Sequence, residues 1–272
     1  LAFIMQHLDE FDSSLLDPTS RGQLLLDLSE GRMATLDDVA LLAWLAELSQ
    51  LPQREQLWTP SMSTELYAIA QARSANFDVA STCIKLALVD TSSALFATAI
   101  DAALSQQEGL RDASCEMVLK RYPLEQLHLA LSDSRELVRL SAINSLSSRG
   151  VTAASIIETA LGDESINIVH AALNSLGELR VASSLLAVNA FVGAEYDDTT
   201  RSIALKTIGA IGDVGSLQLL SETSRDFSAV VRAASIEAIS EIDGEEATTL
   251  LSELFSDFAG TPLESSFQHA LF

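Results

Sequence analysis

One arrangement of apolar and polar positions recurs through the middle of the chain. An acid stands five residues before an apolar–basic pair, a second apolar pair follows four and five residues into the pattern, and a further apolar residue follows at eight. It reads Asp133, Val138-Arg139, Ala142-Ile143, Leu146, then Asp163, Ile168-Val169, Ala172-Leu173, Leu176. It continues as Glu195, Thr200-Arg201, Ala204-Leu205, Ile208, and as Asp226, Val231-Arg232, Ser235-Ile236, Ile239. The acids step from 133 to 163, 195 and 226, intervals of 30, 32 and 31 residues. Self-similarity at such a period signals stacked helical units. At about 100° per residue, offsets +4, +5 and +8 from Val138 share one broad arc, so Ala142, Ile143 and Leu146 predict the buried face of a helix. The acid suits an N-cap, where a carboxylate accepts the open N–H groups of the first turn. Offset +1 falls inside the apolar arc, so Arg139, Arg201 and Arg232 are expected to find partners rather than water. The recurring acids Asp133, Asp163, Glu195 and Asp226, of the same or the neighbouring repeat, offer a ladder of charge-assisted bonds. Contact with a ligand is the alternative use of these arginines.

Weaker copies flank this stretch. Val79, Cys83-Ile84 and Ala87 fit the pattern, as do Leu110-Arg111, Ser114-Cys115 and Val118, with Ser74 and Ser105 where later copies have acids. The first helix of each unit is expected from Ser61 or Ser63 to Arg73, and then over 123–131, 152–161, 182–192, 214–223 and 245–255. Gly150, Gly177, Gly212 and Gly244 are expected near the ends of the preceding second helices, where a left-handed residue turns the chain. Upstream, amphipathic helices over 1–16, 21–28 and from Thr35 and Asp38 to Gln50 lack the pattern and suit a terminal cap. Asp257 continues the acid step, and a last helix over 263–272 lacks the arginine. Its Phe267, Leu271 and Phe272 leave an apolar terminus that either more chain or a partner would cover. The chain opens at Leu1 without Met, as a truncated or processed start would.

The segments 138–146 and 168–177 resemble the second helix of HEAT repeats, most closely the short kind of phycobilisome-lyase-like proteins. The resemblance covers roughly residues 61–272 and implies an all-α fold, an α-solenoid of stacked antiparallel helix pairs. Residues 1–60 are then an N-terminal helical cap continuous with the array of 61–272, with at least five pairs and the second helices aligned on one face. Such repeats serve many unrelated systems, so the resemblance speaks for fold more than for function.

Charge narrows the partner. The 38 acidic against 16 basic residues give −22, and the lysines are Lys85, Lys120 and Lys206. Nucleic acid needs clustered cations and is not expected, nor is an anionic membrane surface. A basic surface on another protein fits, since the field would steer its approach, and a merely solvated acidic face is the other reading. No run of 18 apolar residues predicts a membrane span. Cys83 and Cys115 fall on apolar helix faces without redox or metal spacing, which favours a reducing, cytoplasmic compartment.

Candidate chemistry is sparse. His7, His128, His170 and His269 are scattered, and the His-Glu dipeptides of HEAT-type di-iron hydroxylases do not occur, so neither a metal nor a cofactor is expected. His170 is expected in solvent. Asp197-Asp198 after Glu195 reads as a cation-binding cluster or as capping in a solvated loop. HEAT-like glycosylases need a basic groove that the charge balance opposes. The expectation is therefore a non-enzymatic scaffold or adaptor that holds another, basic protein within a larger assembly. The outward positions of the second helices, Asn144, Asn174, Lys206 and Glu237, are the candidate partner surface. A bilin-lyase-like or chaperone-like protein handling a chromophore or apoprotein is the alternative, which the same short repeat would suit.

Overall fold

The computed structural model describes residues 33–50, 55 and 58–258, and every regular element among them is helical. Internal contacts divide the chain into two compact units, Leu1–Gln126 and Leu127–Phe272. The helices expected over 1–16, 21–28 and 263–272 lie outside the described residues.

In the first unit α1 (Asp38–Ser49) is followed by two helix pairs, α2 (Pro60–Ala72) with α3 (Phe77–Ala87) and α4 (Phe96–Leu104) with α5 (Arg111–Leu119). First helix packs on first helix, α2 on α4, and second on second, α3 on α5, while α1 lies against α3. The apolar offsets account for this: Val79, Cys83, Ile84, Ala87, Cys115 and Val118 are all sealed from solvent. A large aliphatic side chain gains roughly 1.5–3 kcal/mol from such burial. The helix starts differ from expectation. The cap of α1 is Asp37, whose carboxylate accepts the Ala40 N–H at 2.8 Å, and Thr35 belongs to a preceding 3-10 turn. Asn76, not Ser74, caps α3, and the Ser105 hydroxyl donates to the Ala102 carbonyl at the end of α4. A short polar side chain caps only from the residue next to the helix, and the sequence period placed it two residues early.

The helix α6 (Leu124–Ala130) spans the boundary between the units. In the second unit the second helices α7 (Glu136–Ser147), α9 (Ile166–Glu178), α11 (Asp198–Ile211) and α13 (Ala229–Ser240) each pack on the next. First helices alternate with them: α8 (Ala154–Thr159), α10 (Leu185–Asn189), α12 (Leu217–Thr223) and α14 (Glu245–Phe258). α8 lies against α7 and α9, α10 against α11, α12 against α13, and α14 against α13. This is a helical-repeat fold. Each first-helix span expected from 152 to 223 has a short α-helical centre with 3-10 turns attached, such as Val151–Ala153 and Ala160–Gly162 around α8.

Glycines turn the chain at three of the four expected places, Gly150, Gly212 and Gly244, each with positive φ. Gly177 is the exception, because it is helical and buried within α9. The left-handed residue there is Arg180 at φ 51°. Its N–H bonds to the Gly177 carbonyl at 3.0 Å and that of Val181 to Leu176 at 3.4 Å, the paired bonds of a Schellman end. Gly177 serves packing instead: a Cβ there would meet the Thr207 Cα on α11 at 3.3 Å. Gly209 on α11 is tighter still, since its Cβ would lie 2.5 Å from the Ala238 Cα on α13.

Candidate functional site

Two layers of polar side chains distinguish the second unit, one inside the stack and one on its surface. Inside, Arg139 donates from Nε and Nη2 to the two carboxylate oxygens of Asp163 at 2.8 and 3.0 Å, and from Nη1 to the Asp133 carbonyl at 2.8 Å. Both side chains are nearly sealed, 7% and 9% exposed. The paired carboxylate holds the Arg139 guanidinium even more firmly protonated than usual. Arg201 repeats the arrangement, donating from Nε to the Val192 carbonyl at 3.0 Å and from Nη2 to Asp226. That contact, with the Ser228 N–H, holds the Asp226 carboxyl below the usual carboxylate range. Arg232 is half-buried and donates to the Asp226 and Phe227 carbonyls at 2.7 and 2.8 Å. The side chain of Asp257, the acid one step further on, lies outside the described residues. Each arginine thus ties its own helix start to the chain before it, and Arg139 and Arg201 also reach the acid of the next repeat.

The acids are not N-caps. Asp133, Asp163 and Asp226 stand two residues before the cap residues Arg135, Ser165 and Ser228, and their carboxylates accept those residues' N–H groups at 2.8–2.9 Å. From there Asp163 and Asp226 meet the arginines of the preceding repeat, whereas Asp133 pairs with Arg135 beside it at 2.7 Å. Glu195 departs from the set. Its position-mates bind arginines, but the preceding repeat has Val169 in place of arginine, and Glu195 is exposed. The cap of α11 is Asp197, which accepts from Thr199 and Thr200. His170 is not in open solvent: it is half-buried, with Nε2 2.8 Å from the Thr200 hydroxyl, which donates to Asp197 at 2.8 Å. A hydrogen-bond chain thereby joins α9 to α11 where the arginine rung is missing. Asp198 is likewise engaged, accepting the Ser228 hydroxyl at 2.6 Å.

On the surface, Asn144, Asn174, Lys206 and Glu237 are all exposed, one to each second helix. Lys206 and Glu237 face each other at 2.9 Å. Between α7 and α9 an open hollow of about 600 Å³ is lined by Asn144, Ser147, Asn174 and Glu178 among others. Between α9 and α11 a second, of about 460 Å³, is lined by Asn174, Glu178, Arg180, Lys206 and Thr207 among others. Asn174 and Glu178 border both. The outward phase of Asn144, Asn174, Lys206 and Glu237 is legible in the pattern, whereas Glu178 and Arg180 lie past its last apolar position and carry no such signal. Among the described residues no group of three or more His, Cys, Asp or Glu is placed to hold a metal ion. Cys83 and Cys115 are both buried, and burial pushes the Cys83 thiol up to about 12. No helix of the described residues is long and apolar enough to cross a membrane.

No protein-family model and no curated protein matches the chain. Among solved structures it is similar to one described as human deoxyhypusine hydroxylase in complex with glycerol. The identity is 16% and the TM-score 0.41, over 87% of this chain and 96% of that one. That similar structure is an enzyme's, which corrects the expectation of a non-enzymatic scaffold: an array of helix pairs gives no ground for excluding catalysis.

Proposed function

We propose that the second unit recognises a segment of another protein, laid across α7, α9 and α11 and anchored at Asn174 and Glu178. The observation that carries this is the pair of adjoining hollows that share those two residues. An asparagine amide offers both a donor and an acceptor, so it can satisfy the two polar groups of a peptide backbone whatever its side chains. Packed helices lie about 8–10 Å apart, and an extended chain covers that in about three residues, so Asn144 and Asn174 would meet successive stretches of one strand. Glu178 suits a lysine or arginine of that segment, and the −22 charge of the whole chain draws a basic partner towards it. The repeat itself is proposed to be of the short HEAT kind, supported by the segments 138–146 and 168–177. A reducing, cytoplasmic setting is supported by the two buried thiols.

The test is a binding titration with the purified partner, recovered at low salt from the source cells. Asn174→Ala and Glu178→Gln should each weaken binding about tenfold, as truncation at an anchor does, with an unchanged melting temperature. Ser155→Ala, at an exposed position of α8, should leave it alone. Full affinity in the Asn174→Ala, Glu178→Gln double variant would exclude the ridge as the contact. Turnover measured on the same segment decides separately whether binding serves catalysis.

A further inference from the structure

The acid excess hides a local reversal of charge in the first unit. Two of the chain's lysines, Lys85 and Lys120, border one hollow of about 520 Å³ together with Arg121, Leu88, Ala113 and Met117. Lys85 lies in the last turn of α3, and Lys120 and Arg121 follow the end of α5. All three cations are exposed, Leu88 is buried beneath them and Met117 is half-buried. The one carboxylate of the lining, Glu116, engages Lys120 at 3.0 Å, so three cations stand against one anion. A cation at a helix C-terminus offsets the macrodipole, which accounts for one per helix. It does not account for the third, nor for their convergence over an apolar floor in a chain with 38 acids and 16 bases.

We propose that this hollow binds an acidic segment of a partner protein, with carboxylates on Lys85 and Arg121 and an adjoining aliphatic side chain on Ala113 and Met117. The geometry favours a peptide over a compact anion such as phosphate. A phosphate site draws on converging backbone N–H groups at helix N-termini, whereas α3 and α5 present their C-terminal ends here. Spaced cations over an apolar floor instead match carboxylates interleaved with aliphatic side chains. The site belongs to the first unit and does not depend on the ridge of the second.

The test uses the whole chain and a fluorescein-labelled peptide of sequence Gly-Glu-Leu-Glu-Leu-Glu-Gly, followed by fluorescence anisotropy. Binding is expected to saturate, to weaken about tenfold or more in Lys85→Gln, Arg121→Gln, to weaken when the leucines of the peptide become serine, and to persist unchanged in Lys206→Gln. The substituted side chains are exposed, so an unchanged circular-dichroism melt accompanies the loss. No saturable binding, or equal binding by the double variant, overturns the proposal. Displacement by inorganic phosphate at concentrations equal to the peptide's overturns it in favour of a small-anion site.

Discussion

Arg139 and Asp163 show how much one pair can decide. Two buried charges bonded to each other gain little net stability over an apolar pair, but removing one strands the other, at a cost of about 3–5 kcal/mol. Arg139→Ala should therefore lower the unfolding free energy by about that much in urea titrations. The Arg139→Met, Asp163→Leu double variant should recover most of the loss, because neither charge is then left unpaired. Arg232→Ala, at a half-buried site bonded only to carbonyls among the described contacts, should cost about 1–2 kcal/mol. The arginines were legible because their phase puts a charge inside an apolar arc. The role of the acids was legible only in part. Sequence spacing could not separate an N-cap from a residue two places earlier, and that displacement is what turns Asp163 and Asp226 toward the preceding repeat.

At the scale of helices, the contact of α11 with α13 depends on a missing side chain. A Cβ at Gly209 would fall 2.5 Å from the Ala238 Cα and 2.7 Å from its carbonyl oxygen, both backbone atoms that cannot swing aside. Gly209→Ala should thus destabilise by about 1–3 kcal/mol from overpacking, more than the roughly 1 kcal/mol that alanine gains in a helix. At Gly177 the nearest atom is 3.3 Å away, so Gly177→Ala should stay within about 1 kcal/mol of the parent. Thermal melts of the two variants side by side check the contrast, and equal losses would contradict it. Neither glycine was legible as a packing residue, because close approach of two helices depends on both, and one sequence pattern describes one helix at a time. The same blindness hid His170. Its tie to Thr200 and Asp197 follows from Val169 leaving α9 and α11 without an arginine rung, a relation visible only once the helices are side by side.

For the molecule as a whole, charge acts in two ways. Hydrogen bonds from Arg201 and Ser228, from Arg135, and from Thr200 hold the carboxyls of Asp226, Asp133 and Asp197 below the usual range. Groups so depressed add stability above the unfolded-state pKa, near 4, and lose it as pH falls through the folded value. The melting temperature should stay level from about pH 7 to 5 and fall below about pH 4; a rise down to about pH 3 would mean that relief of acid–acid repulsion outweighs these bonds. The acid excess also bears on recognition, since exposed charges are screened beyond about 8 Å at physiological salt. Binding of a basic partner should weaken steadily as salt increases, and affinity unchanged up to about 1 M would rule out steering by the field. The central claim is that the partner lies on the second helices of the second unit. Site-specific photocrosslinking tests it most directly, with p-benzoylphenylalanine placed at Asn144 on α7, which borders the hollow without being an anchor, or at Ser155 on α8, both exposed. A crosslink to one partner segment from position 144 and none from 155 is the predicted result; crosslinking from 155 with position 144 silent would contradict it.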